Sequence, residues 1–413
     1  MRLDTTTLSR RAQRMLDGQS MPEYLERHLV GSTNPHHPVD NPDGYIGLCV
    51  AENKLVAGMV AERLNRVDCV PATVLDYDAM TGSMRFREWL GRFMGRTFLG
   101  REFSPERISV LAGAGSVLEI LFHALGDPGD GVLVPTPSYA GFWMDLELRN
   151  GLRVVPVHTA ADQAFRLTPE LLDRAVDEAG RTVRALLFTN PDNPLGRVAS
   201  ATEVDAILDW AEHRRVHVVV DEIYALSVFG ERSFVSCAER RPVLGDRVHI
   251  VWAFSKDFGA SGLRCGVLVS ENQAVNAAVD ALAYWACCSG HTQYLLGEVI
   301  ADDAWVDGYV ESMQSLLGDA YRRVTAALDA GDIAFVPAEA GFFVLLDLRR
   351  FLGAPTWEAE HELWQRMVDD ARVNLTPGAA CHVGEPGFFR LCYAGLPTDR
   401  VEVGVRRIVG LLG

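Results

Sequence analysis

The sequence predicts an α/β protein: a large lobe built on a mostly parallel sheet, followed in the chain by a smaller α/β lobe. Three observations carry this prediction. Short apolar β-type runs follow one another in mid-chain, "RALLFTN" ending at Asn190, "VHVVVDE" ending at Glu222 and "VHIVWAFS" ending at Ser255. Between the first two lies "ATEVDAILDWAEHRR", where Val204, Ile207, Leu208 and Ala211 keep helical spacing, the β-α-β rhythm of a parallel sheet. And 413 residues, 48% hydrophobic and 23% charged, are enough chain for one large core and a second, smaller one.

Taken in order, "MRLDTTTLSRRAQRMLDGQS" lacks the apolar centre of a signal peptide, and no later run approaches the roughly 18 apolar residues of a membrane span. A cytoplasmic location is expected. Residues 31–44, "GSTNPHHPVDNPDG", read as an ordered surface connection, and "AGAGSVLEILFHAL" puts small residues at the start of an apolar helix. The last hundred residues open with a long amphipathic stretch from Trp305 and continue through a strand-like "GFFVLLDLR" to "FFRLCYAG". This divides the chain into 1–48, an N-terminal arm with part of the small lobe, 49–300, the large lobe, and 301–413, the small lobe.

A net charge of −16 argues against nucleic acid, whose binders need a basic face. The eight cysteines, Cys49, Cys69, Cys237, Cys265, Cys287, Cys288, Cys381 and Cys392, form no C-x-x-C pair and no Cys/His ligand cluster, so they read as reduced thiols with no metal.

Only two of the 39 basic side chains are lysines, Lys54 and Lys256. Arginine stays charged at any accessible pH, whereas a desolvated lysine amine can lose its proton and attack a carbonyl. Lys54 is read as a surface lysine. Lys256 directly follows an apolar strand, at the carboxyl edge where function collects in such sheets. A Schiff-base lysine there suggests pyridoxal 5'-phosphate, which needs an anion for its ring nitrogen, donors for its phenolic oxygen and a phosphate cradle. Asp221 supplies the anion; Asn193 and Tyr224 supply the donors. For the phosphate there are the backbone N–H groups of Ala114 and Gly115, the Ser255 hydroxyl and the Arg264 charge. Tyr139 is a candidate to stack on the ring.

From about residue 40 onward the chain resembles the fold-type I pyridoxal-phosphate enzymes of the class I and II aminotransferase superfamily, through "NPDNPLG", "DEIY", "SKDFGASGLRCG" and "FFRLCYAG". Within it the chain looks most like 1-aminocyclopropane-1-carboxylate synthases: "NPDGYIGLCVAENKL" is similar to their N-P-x-G…L-A-E-N-Q-L, and "LTPGAACHVGEPGFFRLCYAG" to their S-P-G-S-S-C-H-C-x-E-P-G-W-F-R. The resemblance implies a mostly parallel seven-stranded sheet in the large lobe and a carbon–sulfur lyase acting on S-adenosylmethionine. It makes Lys256 the base at Cα, Arg390 the grip on the substrate carboxylate and Glu52 a neighbour of the substrate. It also implies a homodimer whose active sites are completed by the neighbouring subunit. One departure stands out: the family's catalytic tyrosine, in Asp-Tyr-His-Gly, aligns with Met80, and Tyr77 lies three residues earlier, so Tyr77 is the candidate phenol.

Three outcomes after Cα deprotonation stay open at this point: cyclopropane closure, γ-substitution by an external nucleophile through a vinylglycine-type intermediate, and plain transamination. An effector-sensing module of a transcription regulator is disfavoured, since only about 40 residues precede the resemblance and they carry no helix-turn-helix.

Overall fold

The computed structural model describes residues 5–18, 21–67 and 70–413; Cys69 lies outside them. Among the described residues, thirteen strands fall into three groups. Ile46–Gly47 (β1) pairs in parallel with Val373–Asn374 (β11). The large sheet holds Ile108–Leu111 (β2), Gly131–Thr136 (β3), Arg153–His158 (β4), Val183–Thr189 (β5), His217–Asp221 (β6), Val248–Ala253 (β7) and Gly266–Ser270 (β8). The small sheet holds Ala334–Val336 (β9), Phe343–Asp347 (β10), Thr376–Pro377 (β12) and Phe388–Cys392 (β13).

The large sheet runs in the order β2-β8-β7-β6-β5-β3-β4, and β8 is antiparallel to both its neighbours while the other pairings are parallel. This is the expected seven-stranded, mostly parallel sheet. Strands β5, β6 and β7 are buried along most of their length, which is why they read as near-continuous apolar runs rather than alternating ones. The spacing of "ATEVDAILDWAEHRR" becomes the helix Ala201–Arg214, whose start is fixed by a capping box between Ser200 and Glu203. The long amphipathic stretch is the helix Asp303–Ala330, capped by the Asp302 side chain on the Trp305 N–H at 3.0 Å.

The small sheet runs β12-β13-β10-β9 and is antiparallel throughout. The N-terminal arm joins this lobe through the β1–β11 pair and through the Asn374 side chain, which donates to the Tyr24 carbonyl at 2.8 Å. Residues 31–44 are ordered by backbone bonds between His37 and Asn41 and between His36 and Tyr45. No helix of the described residues is long and apolar enough to cross a membrane.

Candidate active site

Register brings the candidate residues together. Thr189 at the end of β5 is level with Asp221 at the end of β6, and Asp221 is level with Val251 in β7, so the segments that leave the three strands emerge side by side. Asp221 is buried and takes one backbone N–H, from Ile223 at 3.3 Å. Burial pushes its carboxyl up to about 7; the Ile223 N–H and the Lys256 charge pull it down, and the charge of Asp145 pushes it up. A cation against Asp221, such as a protonated ring nitrogen, would restore its ionised form.

Lys256 sits in the short helix Phe254–Asp257 that β7 feeds, and its Nζ donates to the Ala51 carbonyl at 2.7 Å. Burial, followed by the positive charge of Arg390, lowers its pKa to about 8. A neutral amine is therefore accessible near physiological pH, the property arginine lacks. The turn carrying Lys256 is anchored by its neighbour Asp257, which is buried and accepts from Trp252 Nε1 at 2.9 Å, Ser227 Oγ at 2.6 Å and the Leu226 N–H at 3.1 Å. Sequence reasoning missed Asp257, whose side-chain partners come from two other places in the chain, Leu226–Ser227 and Trp252.

Asn193 Nδ2 donates to the Tyr224 hydroxyl at 3.2 Å, and Asn193 Oδ1 accepts from Arg390 Nη1 at 3.1 Å. Tyr224 is held edge-on by Phe342 and Phe343, with centroids 5.4 and 5.3 Å away. Arg390, in β13, is 3% exposed; its Nη2 donates to the Cys49 carbonyl at 2.7 Å and to Thr376 Oγ1 at 3.1 Å, while its Nε has no partner. A buried guanidinium with an unused N–H marks a place where an anion belongs. Tyr24, also missed, is buried within reach of that charge, and burial raises its phenol to about 12.

The small residues before Val117 open the helix Ala114–Leu125, with Gly113 as its cap at φ 93° and no acidic residue in the first turn. The Arg264 guanidinium lies against Gly113, where a Cβ would come within 2.3 Å of Nη2, and a Cβ on Gly266 would meet the Gly113 carbonyl carbon at 2.4 Å. Two glycines and an arginine thus form a concave cationic turn at a helix start, which suits a phosphate. Ser255 is buried beside it, and its carbonyl accepts from Ser261 Oγ at 2.9 Å. This donor set fits pyridoxal phosphate: the lysine, the ring anion, the phenolic donors and the phosphate cradle are all in place. Tyr139 is 40% exposed, packs edge-on against Phe142 and lies against Gly141.

Glu52 pairs with Lys54 at 3.0 Å beside an open cleft. Lys54 is exposed, as read, but it serves that carboxylate. In the C-H…E-P-G stretch, His382 stacks on Trp143 at 3.4 Å, the Cys381 carbonyl accepts from the Ser138 N–H at 2.8 Å, and Glu385 pairs with Arg349 at 3.0 Å. The stretch therefore fastens the two lobes together beside Tyr139. Tyr77 is not brought to Lys256 within this chain: its side chain is 97% exposed, whereas Met80 packs on the core that includes Val117 and Leu118.

The family model for aminotransferase class I and II matches residues 45–408. A Glycine max 1-aminocyclopropane-1-carboxylate synthase is 36% identical over 411 residues, covering 95% of this chain and 85% of the relative. A synthase of the same name from Oryza sativa subsp. japonica is 36% identical over 431 residues, covering 97% and 94%. Among solved structures, Thermus thermophilus aspartate aminotransferase with maleate has a TM-score of 0.82 at 22% identity, covering 98% and 99%.

Proposed function

The chain belongs to the class I and II aminotransferase family, and we propose that it is a pyridoxal-phosphate lyase that converts S-adenosylmethionine to 1-aminocyclopropane-1-carboxylate and methylthioadenosine. The observation that carries this reading is the identity of about one third with such synthases along nearly the whole chain, joined to a buried lysine with a lowered pKa facing a buried aspartate and arginine.

Lys256, Asp221, Asn193, Tyr224, Ser255, Arg264 and the N–H groups of Ala114 and Gly115 would hold the cofactor, with Tyr139 against its ring. The bound cofactor supplies an electron sink for the pair left when Cα loses its proton. Arg390 grips the substrate carboxylate through its unused N–H, and this fixes Cα relative to Lys256. Lys256, with a pKa near 8, takes the Cα proton. Glu52 faces the sulfonium, which leaves Cγ with its bonding pair as the neutral thioether of methylthioadenosine; closure between Cα and Cγ completes the ring.

Homodimerisation with shared sites is part of the proposal. Leu75, Tyr77, Tyr284 and Trp285 are all more than 60% exposed, and the turn Ala72–Leu75, two residues before Tyr77, packs on the helix Gly290–Ile300 that follows Tyr284 and Trp285. Large apolar side chains clustered in this way mark an interface, which would deliver Tyr77 to the partner's site. The seven described cysteines are all free, which suits a reducing cytoplasm. The lobe boundaries 49–300 and 301–413 belong to the same proposal, supported by the two separate sheets.

A second reading is γ-substitution through a vinylglycine-type intermediate, favoured by Met80 in the place of the family tyrosine. Mass spectrometry of the products formed from S-adenosylmethionine alone decides. Methylthioadenosine with the cyclopropane amino acid is expected; methylthioadenosine with vinylglycine or 2-oxobutyrate favours substitution, and absence of methylthioadenosine returns the chain to transamination.

A further inference from the structure

Alternate residues of the extended segment 50–54 face different surroundings. Ala51 takes the Lys256 ammonium on its carbonyl, whereas Val50, Glu52 and Lys54 line a solvent-open cleft of about 180 Å³ closed on its other sides by the N-terminal arm and residues 395–400. Two features of this cleft are unexplained by the folded chain. Arg400 lines it and is half-buried, and its guanidinium has neither an ion pair nor a hydrogen bond; every other described arginine of comparable or greater burial donates from its side chain to a carboxylate or a carbonyl. His36 lines it too, is 5% exposed, and its Nδ1 has no partner.

Leaving a guanidinium half desolvated without an acceptor is costly, and so is an orphaned buried imidazole nitrogen. Arg400 and His36 line the same cleft, and burial, followed by the charges of Arg407 and Arg400, holds the His36 imidazole below its ordinary pKa. The only carboxylate lining the cleft, Glu52, is already engaged by Lys54. The acid next in sequence to Arg400, Asp399, is paired with Arg323. What is missing from the cleft is an acceptor with more than one oxygen.

We propose that this cleft, with Arg400, His36 and Lys54 as its donors, binds the phosphate or carboxylate group of a small molecule other than S-adenosylmethionine. An anion bridging Arg400 and Lys54 competes with Glu52 for the ammonium, so occupancy is felt at the neighbouring substrate site.

The test is calorimetric titration of the cofactor-loaded enzyme with inorganic phosphate and, separately, with succinate. Using loaded enzyme keeps the probe out of the cofactor's own phosphate cradle. Binding of at least one probe is expected, weakened tenfold or more in Arg400→Gln and lost in Arg400→Glu, with cofactor absorbance unchanged in both variants. Phosphate alone binding assigns a phosphate ligand; succinate alone assigns a carboxylate. Binding of neither probe, or equal binding by wild type and Arg400→Gln, overturns the site. Turnover of S-adenosylmethionine without probe, measured on the same preparations, reports separately on the proposed reaction.

Discussion

Tyr224 and Tyr77 are both phenols assigned to one reaction site, and they lie in opposite surroundings. Tyr224 is 2% exposed, bonded to Asn193 and wedged between Phe342 and Phe343; Tyr77 is 97% exposed and touches nothing that would orient it. The first belongs to the region at the strand ends, where backbone register and apolar packing fix every side chain within one chain. The second belongs to residues 70–80, whose only inward-turned apolar side chain near the alignment point is Met80. The contrast teaches that the chain builds the cofactor half of its site alone; in the proposed homodimer, the other half comes from a second copy.

The comparison breaks most visibly at Lys256. Lys256→Ala should abolish the absorbance of the covalently held cofactor and lower turnover by at least about a thousandfold, as expected for losing the proton-transfer group; spectra and product assays check both. Tyr77→Ala should cost about a hundredfold in turnover, yet change folding stability by less than about 0.5 kcal/mol because it packs on nothing in its own chain. A thermal melt that falls with activity would mean that Tyr77 is held within the chain after all.

Arg390→Lys removes a planar fork and one charged hydrogen bond, worth roughly 1.5 to 3 kcal/mol. KM for S-adenosylmethionine should therefore rise by about 10- to 150-fold, with a smaller change in kcat. An unchanged KM would place the carboxylate elsewhere. The smallest expected effect is a shift in pH. If Lys256 holds the cofactor as proposed, only its neutral amine captures it, so apoprotein reconstitution should speed up as pH rises, with a midpoint near the lowered pKa of about 8. The Arg390 cation is one cause of that lowering, so Arg390→Met should move the midpoint upward.

The cofactor half was legible because its residues sit where strands stop: Asp221, Asn193, Tyr224 and Lys256 each follow an apolar run within a few positions, and the scarcity of lysine singled out Lys256. What stayed hidden depends on contacts far apart in sequence. Arg390 reaches the Cys49 carbonyl, Tyr24 arrives from the N-terminal arm, Asp257 gathers donors from two segments, and Trp143 meets His382 across the lobes. No local pattern encodes these. The sequence could name Tyr77 as a phenol near Met80, but its orientation is set by no neighbour in its own chain.

The most direct test of a site divided between two chains is a mixing experiment. Lys256→Ala and Tyr77→Ala proteins, each at least about a hundredfold impaired alone, are unfolded together, refolded with cofactor, and assayed for methylthioadenosine. If Tyr77 serves the partner's lysine, half of the dimers are hybrids with one intact site of two, and activity returns to about a quarter of wild type. A mixture as inactive as its components would contradict the account, since both residues would then act within a single chain.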